Sequence, residues 1–138
     1  MTQCLYCDKT PILHDLMIEI APLSVSSVFL FKEQTYHGRC LVAYNKHNVE
    51  LYELNDEELL AFMQDVNKVA AVMKQVLGAA KINYGAYSDK LAHLHFHLIP
   101  KYIDGPDYGS VFAMNPQQKY LSQREYDELI QQLKKELI

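Results

Sequence analysis

Hydrophobic residues recur every three or four positions along one long stretch of the chain, which predicts a helix. Asn55 and Glu58 form a capping box at its start, and Gly78 is placed to end it. The apolar stripe, which we expect to face the core, consists of Leu59, Phe62, Met63, Val66, Val69, Ala70, Met73, Val76 and Leu77. A second capping box at Ser122 and Glu125 predicts a C-terminal helix with the apolar face Tyr126, Leu129, Ile130, Leu133 and Leu137.

Runs of β-branched, aromatic or alternating residues predict the strands. Residues 25–31 and 40–44 are two such runs, and the turn-prone Tyr36-His37-Gly38 between them indicates a hairpin. A further strand is predicted at 81–87. The most regular alternation covers residues 92–99, and the following proline is expected to stop it. Strands and helices in this order favour an α+β fold with an antiparallel sheet.

Length and composition restrict the possible functions. A chain of 138 residues fits one domain, 1–138, which becomes rich in loop-forming Gly and Pro from about residue 102. The formal net charge of -4 argues against a nucleic-acid partner, since duplex binders carry a basic excess. No signal-like N-terminus and no membrane-spanning run is present in the sequence, so we expect a cytoplasmic protein without membrane contact.

Three histidines alternate with apolar residues in the strand predicted at 92–99. Successive side chains of a strand point to opposite faces, so His93, His95 and His97 should share one open face. Their spacing of roughly 6.5 to 7 Å would let them surround one phosphate group. A neutral imidazole is a good nucleophile, and a protonated one stabilises negative charge. A metal clamp that uses His-x-His remains an alternative to catalysis.

Cys4 and Cys7 form a Cys-x-x-Cys pair. In a chain without a secretion signal such a pair indicates half of a tetrahedral metal site or a redox motif before a disulfide framework. The βαβ context of a redox motif is missing. Two imidazoles would complete a zinc site, and a reduced, unligated pair of thiols is the alternative.

The run His93-Leu94-His95-Phe96-His97-Leu98-Ile99 resembles the signature of the histidine triad (HIT) superfamily, in which three histidines alternate with apolar residues. The zinc-containing bacterial members are the most similar type. The resemblance implies a five-stranded antiparallel sheet, a long central helix, a C-terminal helix and a homodimer with a continuous sheet.

The resemblance also implies an activity, that of a hydrolase acting on nucleoside phosphoesters or phosphoramidates. His95 would attack the α-phosphorus of a dinucleoside polyphosphate or nucleoside phosphoramidate and form a nucleotidyl-histidine, and His97 would contact the phosphate or the leaving group. Asn83 resembles the family's phosphate-side asparagine. Asp89 and Lys90 stand where many relatives have glutamine and serine, and these three are the expected substrate-binding residues.

Three further expectations come from the same resemblance. Some triad proteins hold zinc with a histidine at the end of the second hairpin strand and the first triad histidine, which implies a structural zinc on Cys4, Cys7, His47 and His93. Arg39 stands where the family usually has histidine. Because the phosphate-side residues are replaced, a zinc-stabilised nucleotide-binding or interaction module with little catalysis is an alternative function, and a nucleotidyl transferase is another.

Overall fold

The computed structural model describes residues 4–138, so the first three residues of the expected domain lie outside the described part. Five antiparallel strands form one sheet in the order β1-β2-β3-β5-β4. The elements are α1 Leu5–Asp8, α2 Pro11–Leu16, β1 Met17–Pro22, β2 Ser26–Phe31, β3 Cys40–Tyr44, a 3₁₀ turn Leu51–Glu53, α3 Asp56–Leu77, β4 Lys81–Gly85, β5 His95–Lys101 and α4 Gln123–Leu137. The predicted α+β fold is confirmed. Within residues 4–138 no helix is both long and apolar enough to cross a bilayer.

The two long helices begin and end where their capping residues predict. Asn55 accepts the backbone N–H of Glu58 while the Glu58 side chain accepts that of Asn55, and Gly78 ends α3 in the left-handed conformation. Ser122 and Glu125 form the same reciprocal pair before α4. All nine residues of the α3 stripe lie in or against the main core cluster, together with the apolar face of α4. Both helices therefore cover one face of the sheet.

The histidine strand begins later and ends later than predicted. β5 covers His95–Lys101, so His93 lies just before it, and Pro100 is part of the strand. Pairing between β3 and β5 ends at Cys40 and Leu98, whereas β4 continues beside Pro100. Pro100 has no N–H to donate. Because β3 no longer pairs with β5 at this position, no hydrogen bond between the two strands is lost, and the sheet tolerates the proline.

Two other strands differ from what the sequence predicted. The strand predicted at 81–87 ends at Gly85, which frees Tyr87 to turn toward the histidine face. The sequence also gave no prediction for β1, a short strand with a register shift between Glu19 and Ala21. It lies at the sheet edge opposite β4.

The second face of the sheet carries the histidines and is covered in two parts. Over β1, β2 and β3, a smaller apolar cluster contains side chains of α1 and α2 such as Tyr6 and Leu13. Over β5, the loop after the strand contributes Phe112, which packs with Tyr36 and Ile99. The histidine face, which the sequence predicts to be open, is thus covered by the two helices and by the loop after β5. A cavity remains between these two parts.

Candidate active site and metal cluster

His95 is oriented by the backbone two residues before it. Its Nδ1 lies 2.6 Å from the carbonyl oxygen of His93. A carbonyl can only accept, so Nδ1 carries the proton and donates it, and in the neutral ring Nε2 keeps a free lone pair. Burial lowers the pKa of His95, partly offset by the bond to the His93 backbone. The ring is therefore presented as a neutral imidazole with one unprotonated nitrogen.

The side chain of His95 is enclosed rather than open to bulk solvent, being 2% exposed. It lines a cavity of about 420 Å³ together with Leu16, Phe31, Tyr87, Ser88, Asp89, Lys90, Leu91, His97, Met114 and Asn115. Among the described residues, the only fully enclosed side-chain N or O atoms without a hydrogen-bond partner are Tyr6 Oη and Arg39 Nε. Within residues 4–138, His95 Nε2 makes no hydrogen bond and yet is not one of these enclosed atoms, so it contacts the cavity.

His97 stands beside His95 with the opposite proton arrangement. The ring centroids are 5.1 Å apart, closer than the strand spacing predicts. Arg39 Nη2 lies 3.1 Å from His97 Nδ1, and because a guanidinium can only donate, Nδ1 accepts and Nε2 carries the proton. Burial, then the positive charge of Arg39, lowers the pKa of His97 to about 3. His97 is thus arranged as a neutral hydrogen-bond donor through Nε2.

The three expected substrate-binding residues are not brought together. Asp89 and Lys90 line the His95 cavity from its exposed rim. Asn83 lies on β4, where it pairs with Ile99 of β5, and it lines a separate, larger groove with Tyr108 and Ser110. We therefore leave Asn83 out of the site that surrounds His95.

A second cluster lies at the N-terminal end of β5 and consists of Cys4, Cys7, His47 and His93. Their four ligand atoms all lie within 4.8 Å of one another. His93 Nδ1 is 3.3 Å from Cys4 Sγ, 3.4 Å from Cys7 Sγ and 3.3 Å from His47 Nδ1. Bond lengths of zinc to sulfur and nitrogen would place the donors of a tetrahedral site roughly 3.3 to 3.8 Å apart. The cluster could hold a metal ion.

The surroundings of this cluster fit metal ligation. His93 Nε2 donates to the carbonyl oxygen of Tyr44 over 2.6 Å, which leaves Nδ1 unprotonated and aimed at the two sulfurs. Ligating histidines in proteins are commonly fixed through the second ring nitrogen in this way. The backbone N–H of Cys7 also donates to Cys4 Sγ, at 3.3 Å.

A family model for the HIT domain matches residues 22–104. The chain belongs to the HIT domain family. The strands β2 to β5 and all three alternating histidines fall within the matched residues.

Relatives of this HIT protein include two yeast enzymes. The adenosine 5'-monophosphoramidase of Saccharomyces cerevisiae is 31% identical over 101 residues, covering 71% of this chain and 62% of the relative. That of Schizosaccharomyces pombe is 29% identical over 89 residues, covering 61% and 64%. The chain thus spans less than two thirds of the length of these curated relatives. A solved histidine triad protein of Bradyrhizobium japonicum superposes with a TM-score of 0.85 at 20% identity, over 94% of this chain and 96% of that one.

Several residues around the HIT histidines were missed from sequence. The ring of Tyr6 lies about 5 Å from those of both His93 and His95, with centroid distances of 5.2 and 5.1 Å. Met114 and Asn115 reach the cavity from the loop beyond residue 102, which carries no family motif. These contacts join distant parts of the chain, so no local spacing indicates them. Of the residues around the site, Arg39 alone could be noticed in the sequence, because it is a cation at a position where the family usually has histidine.

Proposed function

We propose that this HIT protein is a nucleotide hydrolase in which His95 Nε2 attacks the α-phosphorus of the substrate. The observation that carries the proposal is the hydrogen bond from His95 Nδ1 to the His93 carbonyl, which leaves the other nitrogen unprotonated in the cavity. Nucleophilic catalysis needs such an activated atom within reach of the substrate. The cavity of about 420 Å³ around it is within the usual range for small-molecule sites.

In the proposed reaction, a bond forms between His95 Nε2 and phosphorus while the bond from phosphorus to the leaving oxygen or nitrogen breaks. The departing group keeps that electron pair and takes up a proton from solvent, which regains one when water attacks in the second step. His97 donates its Nε2–H to a phosphate oxygen or to the leaving atom. Water then attacks the same phosphorus, releases the nucleoside monophosphate and restores the free imidazole.

The substrate class that we propose is a nucleoside phosphoramidate or a dinucleoside polyphosphate. The name adenosine 5'-monophosphoramidase, carried by both yeast relatives, supports the first. Lys90 at the exposed rim of the cavity supplies a point charge for further phosphates of a longer substrate. Asp89 beside it would then orient Lys90 or a leaving group.

We also propose that Cys4, Cys7, His47 and His93 hold a structural zinc ion. The two thiols and two imidazoles are a common donor set for closed tetrahedral zinc, and their donor distances support it. The bound ion would hold α1 against the N-terminal end of β5. It takes no part in the proposed chemistry, because all four positions are filled by protein.

A homodimer is part of the same proposal. β4 is an edge strand whose outer backbone groups are left for a partner, and Tyr84 on it is 50% exposed. Edge strands of this kind can pair with a second copy and extend the sheet.

Hydrolysis of a dinucleoside tetraphosphate in ¹⁸O-labelled water tests the proposed reaction. Attack at the α-phosphorus places the label in the nucleoside monophosphate and leaves the nucleoside triphosphate unlabelled. The reason is that the oxygen of water becomes bonded to the phosphorus of the monophosphate only. A nucleoside phosphoramidate assayed in parallel should give the same labelled monophosphate. Label in the triphosphate would refute attack at the α-phosphorus. Tight nucleotide binding with no product would instead favour the binding-module alternative.

A further inference from the structure

Arg39 lies one layer behind the cavity wall. The side chain is 0% exposed and follows Gly38, whose φ of +90° turns the chain into β3. Its guanidinium stands over the ring of Phe31 at 4.3 Å from the centroid, and Nη1 donates to the carbonyl of Ala113 over 3.2 Å. Nη2 also approaches the sulfur of Met114 at 3.7 Å. Phe31 and Met114 in turn line the cavity, so Arg39 supports the wall without forming it.

In the described part of the chain, no carboxylate lies in salt-bridge contact with the charge of Arg39. Within residues 4–138 none of the ion pairs includes Arg39, and its Nε is enclosed without a hydrogen-bond acceptor. The nearby Glu33 carboxylate is occupied by the N–H groups of Thr35, Gln118 and Lys119. An unpaired cation in the interior costs stability. Stacking on Phe31 and the bond to the Ala113 carbonyl offset part of that cost, but they give no reason for a donor on the side that faces His97.

The remaining contact of the guanidinium, with His97, supplies such a reason. We infer that Arg39 is a positioning residue that holds His97 in the tautomer whose Nε2–H points into the cavity. The contact of 3.1 Å between Arg39 Nη2 and His97 Nδ1 admits no other arrangement, because the guanidinium has no lone pair to offer. The identity of the molecule that receives this N–H rests on the proposed function.

Arg39 remains a cation at neutral pH, although burial lowers its pKa to about 10. The titratable groups facing it are Tyr36 and Glu33 from the turn before β3, Tyr87 from the segment after β4, and His97 from β5. His95 faces His97 from the same strand. A fixed positive charge beside His97 opposes its protonation, so the donated hydrogen comes from a neutral ring throughout the physiological pH range.

Two substitutions separate the role of the hydrogen bond from that of packing. Arg39→Met keeps a long apolar stem but removes both donor and charge, and Arg39→Lys keeps the charge with one compact donor. Orienting partners of functional imidazoles carry effects of about 10- to 10⁴-fold. We expect kcat to fall about 100-fold in Arg39→Met, with KM changed by less than about 3-fold, and to be partly restored in Arg39→Lys.

Lys101→Met is the matched control. Lys101 is also a buried cation, 2% exposed, and it donates to the carbonyls of Asp107 and Ser110 without touching His97. Its substitution should lower stability while leaving the tautomer of His97 unchanged. An equal loss of kcat in the Arg39 and Lys101 variants would overturn the inference, since it would mean that any buried cation has the same effect.

Nitrogen NMR of the ¹⁵N-labelled wild-type protein tests the inference without substrate and without a variant that must fold. We expect His97 to show an unprotonated Nδ1 and a protonated Nε2 from pH 8 to pH 5. In Arg39→Met both tautomers should be populated, and the ring should take up a proton at higher pH than in the wild type. Protonation of His97 at Nδ1 in the wild type would refute the inference, whether or not the ¹⁸O experiment supports nucleotide hydrolysis.

Discussion

Replacing His95 by alanine should lower nucleotide turnover by at least about 10⁴-fold. Removal of a catalytic nucleophile from a serine protease costs about 10⁶ in kcat, and the remaining activity comes from the rest of the site. His95 is the imidazole that combines an unprotonated nitrogen with direct contact to the cavity. Steady-state assays on a nucleoside phosphoramidate measure the effect, with KM expected to change little.

His14→Ala is the control for His95→Ala. His14 is an exposed imidazole near the end of α2 and does not line the cavity. Its variant should retain wild-type turnover. If His95→Ala kept more than about a tenth of the wild-type rate, another group would have to be the nucleophile, because a loss that small is typical of an auxiliary residue.

Removing the metal should cause the second large effect, on stability. We expect about one zinc per chain in the purified protein. A ligand present at 1,000 times its dissociation constant stabilises the folded state by about 4 kcal/mol, which corresponds to a melting temperature higher by on the order of 10 °C for a chain of this size. Cys4→Ser should therefore lose the zinc and melt at a correspondingly lower temperature.

Elemental analysis and thermal unfolding of matched variants measure this effect. Cys40→Ala is the matched control, because Cys40 is a buried thiol of β3 that lies outside the metal cluster. It should keep its zinc whatever it does to the core. Cys4→Ser should also lower turnover, though less than His95→Ala, because the His93 carbonyl that orients His95 belongs to a residue of the cluster. Protein without zinc, with a melting temperature unchanged in Cys4→Ser, would contradict the zinc proposal.

The sequence predicts the two long helices well because their signals are local, whereas the short helices α1 and α2 were not predicted. Capping at Asn55 and Ser122 depends on residues three positions apart, and the stripes depend on the helical repeat. β1 was not predicted because it is a short edge strand with a bulge, so its alternation of apolar and polar residues is brief. The prediction that Pro100 ends the histidine strand was wrong because it used the sequence of that strand alone. Whether a strand can contain a proline depends on which neighbouring strands pair with it at that position.

For the site, the sequence indicates which histidines share a face but not what covers them. The alternation correctly puts Leu94 and Leu98 in the main core and the three histidines on the other side. The enclosure of His95 depends on Tyr6 and on the loop that carries Met114, which are about 90 residues before and about 20 residues after it. Contacts over such separations follow from the whole fold. The contact between Arg39 and His97, which are 58 residues apart, is likewise beyond what local spacing can predict.

The central claim is that His95 Nε2 forms a bond to phosphorus, and mapping the covalent intermediate tests it most directly. The protein is mixed with a nucleoside phosphoramidate, quenched without acid, digested, and sequenced by tandem mass spectrometry. We predict one nucleotidyl group per chain on the peptide that contains residues 93–97, located at position 95 and absent from His95→Ala. The same adduct on His97, or rapid turnover with no adduct on any histidine, would contradict the account.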